Sequence, residues 1–187
     1  MLLQALEEED DEVTSKLYDS VVRIKAMATI HELLYNSKSF SNLEFSENVK
    51  ILTNNIIETI STDTEIDIKL NCNPVQLNVN QAIPCSLILN EVVTNTIKHA
   101  YKDRKKGKLY ISLEEKDGKV SLSINDDGVG IPDEFGDFKE TSVGLHLIEV
   151  LSSQLDASYT YNSNGSGTDF RITFSKNDLK GIGNAHL

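Results

Sequence analysis

Glu91 and Asn95 lie four residues apart, with Lys98 and His99 three and four residues further on. The stretch around them reads as a helix, because Leu87, Ile88, Val92, Val93 and Ile97 recur at helical intervals. Residues so spaced share one helix face, so a carboxylate, an amide, an ammonium and an imidazole project together. A carboxylate accepts a proton or holds a water, an amide oxygen ligates a hard cation, and Lys and His meet phosphate oxygens. The same pattern also describes the solvated face of an ordinary amphipathic helix. Other segments must decide between the two.

About thirty residues on, Asp126-Asp127-Gly128-Val129-Gly130 follows directly after the alternating run Val120-Ser121-Leu122-Ser123-Ile124. A strand that delivers Asp126 to a turn with two glycines suits close approach by a flat ligand, and a buried carboxylate accepts from an exocyclic amine such as that of adenine. A plain strand-ending turn gives the same string. A second glycine site, Ser142-Val143-Gly144-Leu145-His146-Leu147, opens a helical pattern through Val150, Leu151 and Leu155. Free N–H groups and the dipole at such a helix start favour phosphate. A third cluster, Gly165-Ser166-Gly167-Thr168-Asp169-Phe170, leads into a strand and by itself is a good hairpin turn.

Together and in this order, the four segments resemble the N, G1, G2 and G3 boxes of the GHKL ATPases, most closely those of sensor histidine kinases. Asn80-Gln81-Ala82-Ile83-Pro84 and Lys98-His99-Ala100-Tyr101 are similar to the subfamily whose phosphorylatable histidine sits in a His-His-Arg-Val-Lys-Asn-Asn-like motif. Upstream, Arg23-Ile24-Lys25-Ala26-Met27-Ala28-Thr29-Ile30-His31-Glu32-Leu33-Leu34-Tyr35 resembles that subfamily's second dimerisation-region signature. The resemblance runs to about residue 175. It implies ATP and Mg²⁺ as cofactors: Asn95 would ligate Mg²⁺ and Glu91 would polarise the attacking group or a water. Lys98 and His99 would lie near the phosphates, and Asp126 would read the adenine amine in a pocket shaped by Gly128 and Gly130. Gly144 and Leu145 would meet the phosphates, and Gly167 with Thr168 would close the far wall. Asp127 stands where the G1 box often has Asn, a change expected to perturb metal or water contacts slightly. Residues 131–141, with Phe135, Gly136 and Phe138, occupy the place of the ATP lid.

The subfamily's acceptor motif lies before the segment resembled by Met1-Leu2-Leu3-Gln4, and nothing like it occurs among the four histidines, His31, His99, His146 and His186. His31 precedes Glu32, as many acceptors precede an acid. Leu33-Leu34-Tyr35 nevertheless lacks the basic residue and proline that accompany acceptors in the commoner kinase class, and the subfamily signature has a non-acceptor histidine at this place. His31 is therefore expected to pack a helix. The phosphoacceptor is expected outside this chain, as in a truncated kinase or a kinase half served by an acceptor elsewhere.

Among the elements that must position these residues, those before residue 62 read as helical. Val13, Leu17, Val21, Ile24 and Ala28 form one apolar stripe, and Phe45, Val49, Leu52, Ile56 and Ile60 another. Isolated helices of such length are marginal in water, so each stripe needs a partner. Later residues alternate strands (66–70, 109–113, 120–124, 158–161, 170–174) with helices (84–100, 143–155), and Asp117-Gly118 marks a tight hairpin. The expected fold is α+β, a Bergerat-type sandwich of one mixed sheet with helices on one face, preceded by a helical hairpin fragment. The expected division is a partial dimerisation and phosphotransfer region at 1–62, an ATP-binding catalytic domain at 63–176 and a flexible tail at 177–187. The acidic run Glu7-Glu8-Glu9-Asp10-Asp11-Glu12 suits a solvated helix start, and Lys102, Arg104, Lys105 and Lys106 suit a helix end.

The formal net charge of −11 over 187 residues opposes binding to nucleic acid phosphates. No run is apolar enough to span a membrane, and no signal peptide opens the chain. Cys72 and Cys85 are too few for a disulfide framework and are expected to be reduced. A cytoplasmic location follows, though sensing parts beyond this chain could anchor the whole protein to a membrane. The resemblance implies a protein-histidine kinase that forms a homodimer and hands its phosphoryl group to a response regulator. An anti-sigma-factor-type serine kinase and a catalytically silent interaction module are the alternatives.

Overall fold

In the computed structural model, the described residues are 20–32 (without 22 and 26), 43–60, 64–102, 104–130, 143–163 and 165–177. The lid segment, the acidic run, His186 and the tail from residue 178 lie outside them.

The described part of 20–32 is helical (α1). It is followed by β1 (Leu43–Glu44), α2 (Phe45–Thr59), β2 (Glu65–Cys72), β3 (Gln76–Leu77) and α3 (Val79–Asn95). A π-helical turn, Thr96–Ala100, continues α3. Then come β4 (Lys106–Lys116), β5 (Lys119–Asp126), α4 (Val143–Gln154), β6 (Ser158–Ser163) and β7 (Thr168–Ser175). The main sheet runs β2-β4-β5-β7-β6. Strands β2 and β4 are parallel because α3 carries the chain across between them, and the other pairs are antiparallel. The hairpin at Asp117 and Gly118 has both residues at positive φ, 52° and 72°, as a two-residue turn matched to strand twist requires.

Alternation sends one face of the sheet inward: Leu109, Ile111 and Leu113 of β4, Val120, Leu122 and Ile124 of β5, and Phe170, Ile172 and Phe174 of β7 are buried. Helices α2, α3 and α4 supply Phe45, Val49 and Leu52, Ile88 and Leu89, and Ile148 to the same core. The opposite face carries polar pairs, including Arg171 donating to Ser123 Oγ at 3.1 Å and the Lys69 ammonium 5.5 Å above the Tyr110 ring. One mixed sheet with helices on a single face is the fold expected from the sequence.

Three details differ from the expectation. Helix α3 starts at Val79, five residues before Pro84, because Asn78 caps it by accepting from Gln81 N at 3.2 Å. Pro84 therefore lies inside the helix. Across the expected boundary near residue 62, α2 packs its stripe on α3 and the sheet. On α1, Ile30 is the buried residue and His31 is exposed, so His31 does not serve as the packing residue. The inward face of α1 passes through Arg23, Thr29 and Ile30 instead, leaving Val21, Ile24 and Met27 exposed. Cys72 and Cys85 are unpaired.

Candidate nucleotide site

Helix α3 directs Glu91 inward, where its side chain is only 4% exposed. Both carboxylate oxygens accept from one guanidinium: Arg23 Nε donates to Oε1 and Nη2 to Oε2, each at 2.8 Å. Asn95, one turn later, is half-buried. The amino end of α4 closes over both. A Cβ at Gly144 would stand 2.9 Å from Glu91 Oε2, 3.4 Å from Arg23 Nη2 and 3.6 Å from Asn95 Nδ2. Any larger residue there would press on a carboxylate already clamped. Leu145 follows, partly buried against the core.

The expectation that Lys98 and His99 share a face with Glu91 and Asn95 assumed an unbroken α-helix. That register ends at Asn95, where the π-helical turn begins. Lys98 is half-buried and His99 is exposed by area. Desolvation holds the Lys98 ammonium below its usual pKa. The His99 imidazole is also lowered, by desolvation first and then by the neighbouring Lys98 charge.

The turn's other product is Thr96, which donates to Asp126 Oδ2 at 3.3 Å. Asp126 ends β5, and its Oδ1 accepts from Gly128 N at 2.9 Å and Thr168 N at 3.2 Å. Burial raises the Asp126 pKa, and these hydrogen bonds only partly offset the effect. Nearby, Tyr161 packs edge-on to Phe170, ring centroids 5.6 Å apart. Its phenol is pushed up to about 12 by burial and then by the Asp126 charge. Asp126 thus sits in a partly dry pocket, its carboxylate met by Gly128 N, Thr168 N and the Thr96 and Thr168 side chains.

Gly167 touches this pocket from the far side: at φ +131°, its missing side chain leaves room for the Asp126 carbonyl. A cleft of about 320 Å³ runs past Asn125, Asp126, Ser163, Gly167 and Thr168. Gly130 packs beside Ser163 and Gly165. Gly128 lies with its bare Cα against Ala100 at the end of the π turn, where a Cβ would clash. Asp127 likewise turns away from the site. Its Oδ1 accepts from Lys108 N at 2.7 Å, and Arg104 donates to its carbonyl and lies 3.4 Å from Oδ2. Asp127 therefore ties the end of β5 to Lys108 and Arg104.

Among the described residues, no group of three or more His, Cys, Asp or Glu forms a metal cage. Mg²⁺ needs no such cage beside a nucleotide, because phosphate oxygens and waters fill most of its shell. Asn95 brings the one amide oxygen that so sparse a shell asks of the protein, and the amide atom nearest the Gly144 position is its Nδ2. Sequence reasoning missed Arg23, Thr96 and Asn125. Only Thr96 carried a local signal, its position beside the Glu91 and Asn95 pattern.

Residues 80–178 match the family of histidine kinase-, DNA gyrase B- and HSP90-like ATPases, and residues 1–60 match a histidine kinase family. The sensor histidine kinase PdtaS of Mycolicibacterium smegmatis is 27% identical over 167 residues, covering 88% of this chain and 33% of that protein. The chain thus spans about a third of the length of the curated relatives it matches. An anti-sigma F factor of Bacillus licheniformis is 48% identical over 46 residues, 25% of this chain and 32% of that protein. The solved histidine kinase domain of a blue-light activated kinase from Erythrobacter litoralis superposes with a TM-score of 0.73 at 21% identity, covering 83% of this chain and 74% of that one. That likeness establishes the shared fold. With both of its parts matched in sequence, the chain belongs to the histidine kinase-, DNA gyrase B- and HSP90-like ATPase family, in its sensor histidine kinase branch.

Proposed function

We propose that this chain binds Mg²⁺·ATP as the catalytic unit of a two-component sensor histidine kinase. The γ-phosphoryl group passes to a histidine nitrogen of the intact kinase, for relay to a response-regulator aspartate. The observation that carries this reading is the convergence of Glu91, Asn95 and the glycine-opened end of α4 on one point.

Phosphoryl transfer asks the protein for positioning and charge neutralisation more than for covalent chemistry. Asn95 Oδ1 is the protein ligand for Mg²⁺, which neutralises phosphate charge when bound. Glu91 polarises the attacking nitrogen or a water. The α4 amino end at Gly144 and Leu145 offers N–H groups and dipole to the phosphates, with Lys98 and His99 nearby. Asp126 accepts from the adenine amine, a donor that takes the place of one of the threonine hydroxyls now bonded to its carboxylate. Gly130, Gly167 and Thr168 line that end, and Gly128 fixes the turn that shapes it.

Residues 63–176 form the ATP-binding domain, with α2 lent to its core, and residues 1–62 form part of the dimerisation and phosphotransfer region. The exposed Val21, Ile24 and Met27 of α1 fit pairing with a second copy in the intact kinase. No described helix is long and apolar enough to cross a membrane, and we place the chain in the cytoplasm. A serine kinase of the anti-sigma-factor type draws on a match to a quarter of the chain, whereas the match over residues 1–60 favours the histidine kinase.

Titration calorimetry with a non-hydrolysable ATP analogue, with and without Mg²⁺, tests the reading. Binding should depend on Mg²⁺, and Asn95→Ala should remove that dependence while the circular dichroism spectrum stays native. Unchanged affinity in Asn95→Ala sinks the metal assignment; no binding by the unsubstituted chain sinks the nucleotide site.

A further inference from the structure

Arg23 belongs to α1, yet its guanidinium lies inside the site built by α3 and α4. The pair it forms with Glu91 spans 68 residues of sequence and uses both carboxylate oxygens. Such a fork fixes the plane of a carboxylate as well as its charge, which a lysine ammonium cannot do. A small gap lies in the seam beside it. A cavity of about 30 Å³ separates Lys25 and Thr29 of α1 from Asn55, Thr59 and Asn90, and the buried Asn90 Oδ1 has no hydrogen-bond partner among the described residues. Among the described residues of α1, Ile30 supplies the buried apolar anchor and Arg23 reaches the site.

A carboxylate as buried as Glu91 is costly unless paired. In the described residues, the hydrogen-bonding partner of its side chain comes from outside the sheet and the helices that pack on it. Glu91 Oε2 and Arg23 Nη2 also face the same point at the α4 amino end as the Asn95 amide. The position of the carboxylate relative to the metal ligand is therefore set from α1.

We propose that Arg23 is a positioning residue for Glu91, supplied by the helical region, so that the transfer step is competent only while α1 is docked. The inference rests on the reading of Glu91 as the polarising group. It predicts a division of labour. Nucleotide affinity depends on α3, β5 and α4, whereas the rate of γ-phosphoryl loss depends on Arg23 as well.

The test compares Arg23→Ala, Arg23→Lys, Glu91→Gln and the Arg23→Ala/Glu91→Gln double variant. Each is measured for binding of a non-hydrolysable Mg²⁺·ATP analogue and for single-turnover hydrolysis of ATP, in which water takes the γ-phosphoryl group and ADP leaves. Arg23→Ala should slow cleavage by at least about tenfold, while analogue affinity changes by less than about threefold. Arg23→Lys should recover only part of the rate, and Arg23→Ala should have no further effect in the Glu91→Gln background. The Arg23 Nε–H resonance gives a readout apart from turnover: it should be protected from solvent exchange, remain so with the analogue bound, and lose protection in Glu91→Gln. A faster Arg23→Ala enzyme would mean that the pair restrains Glu91, and overturns the proposal. So do an unchanged rate, full rescue by lysine, an independent loss in the double variant, or an unprotected Nε–H. A native chain no faster than Glu91→Gln sinks the reading of Glu91 itself, with nucleotide binding left intact.

Discussion

At Asp126, the demands of the fold and of the ligand pull in opposite directions. Burial raises its pKa above the ordinary carboxylate value, so the folded state holds a proton that the unfolded state has already released. Across the window between those two values, stability falls as pH rises; below it, both states are protonated and the penalty is gone. Asp126→Asn removes the penalty while its amide oxygen still accepts from Gly128 N and Thr168 N. Thermal unfolding at neutral pH should therefore show a variant at least as stable as the native chain, with a weaker pH dependence in the acid range. Calorimetry should show nucleotide affinity reduced by at least about tenfold, because a donor then meets the adenine amine. Lower stability together with native affinity would contradict both halves of the argument. The carboxylate, the amide and the glycines gathered at this candidate site could be picked out from the sequence because each belongs to a local string. Asp127 was not, since its partner Lys108 N depends on the β4–β5 register that sets Leu109 against Asp126. Arg23 was not legible either: no periodicity connects it to a carboxylate five elements further along the chain.

Among the elements, α3 carries the most function and diverged furthest from its expected form. Its start was misplaced because Pro84 reads as a first-turn residue, whereas Asn78 and Gln81 form the stronger signal, a cap followed three residues later by Gln. Gln81 also donates to the Ser175 carbonyl at 2.7 Å and accepts from Asn177 N at 3.0 Å, tying the start of α3 to the end of β7. Asn78→Ala should lower the unfolding free energy by about 1 kcal/mol, read from the denaturation midpoint at constant m. A change within error would show that the Gln81 contacts alone hold the helix start. The π turn had no sequence signature of this kind. It is settled by tertiary demands at its end, where Ala100 must meet Gly128 and accept from Val129 N at 2.9 Å. The hairpin at Asp117 and Gly118 was legible for the opposite reason, since its conformation is demanded by two adjacent residues.

At the scale of the molecule, the sheet and its helical layer form a receptacle to which α1 adds a charged side chain and an apolar anchor. The alternating patterns sufficed for the layers, because one buried face per strand and one apolar stripe per helix leave few arrangements. They were silent on which layer α2 joins, as its stripe would suit a helical bundle equally well. The strand order has a temporal meaning too. Strand β5 lies between β4 and β7, and the Asp126 carboxylate is closed by Thr168 N from β7. During synthesis, a chain halted before residue 168 already carries Glu91, Asn95 and Asp126 but lacks the strand that flanks β5 and closes the cleft. Stalled ribosomes bearing chains of graded length, probed with a photoreactive ATP analogue, should label only once β7 has emerged. Labelling of shorter chains would show that α3 and β4–β5 suffice. On this topology a nascent copy gains the proposed nucleotide site only when the sheet is complete, and until then it would leave ATP alone.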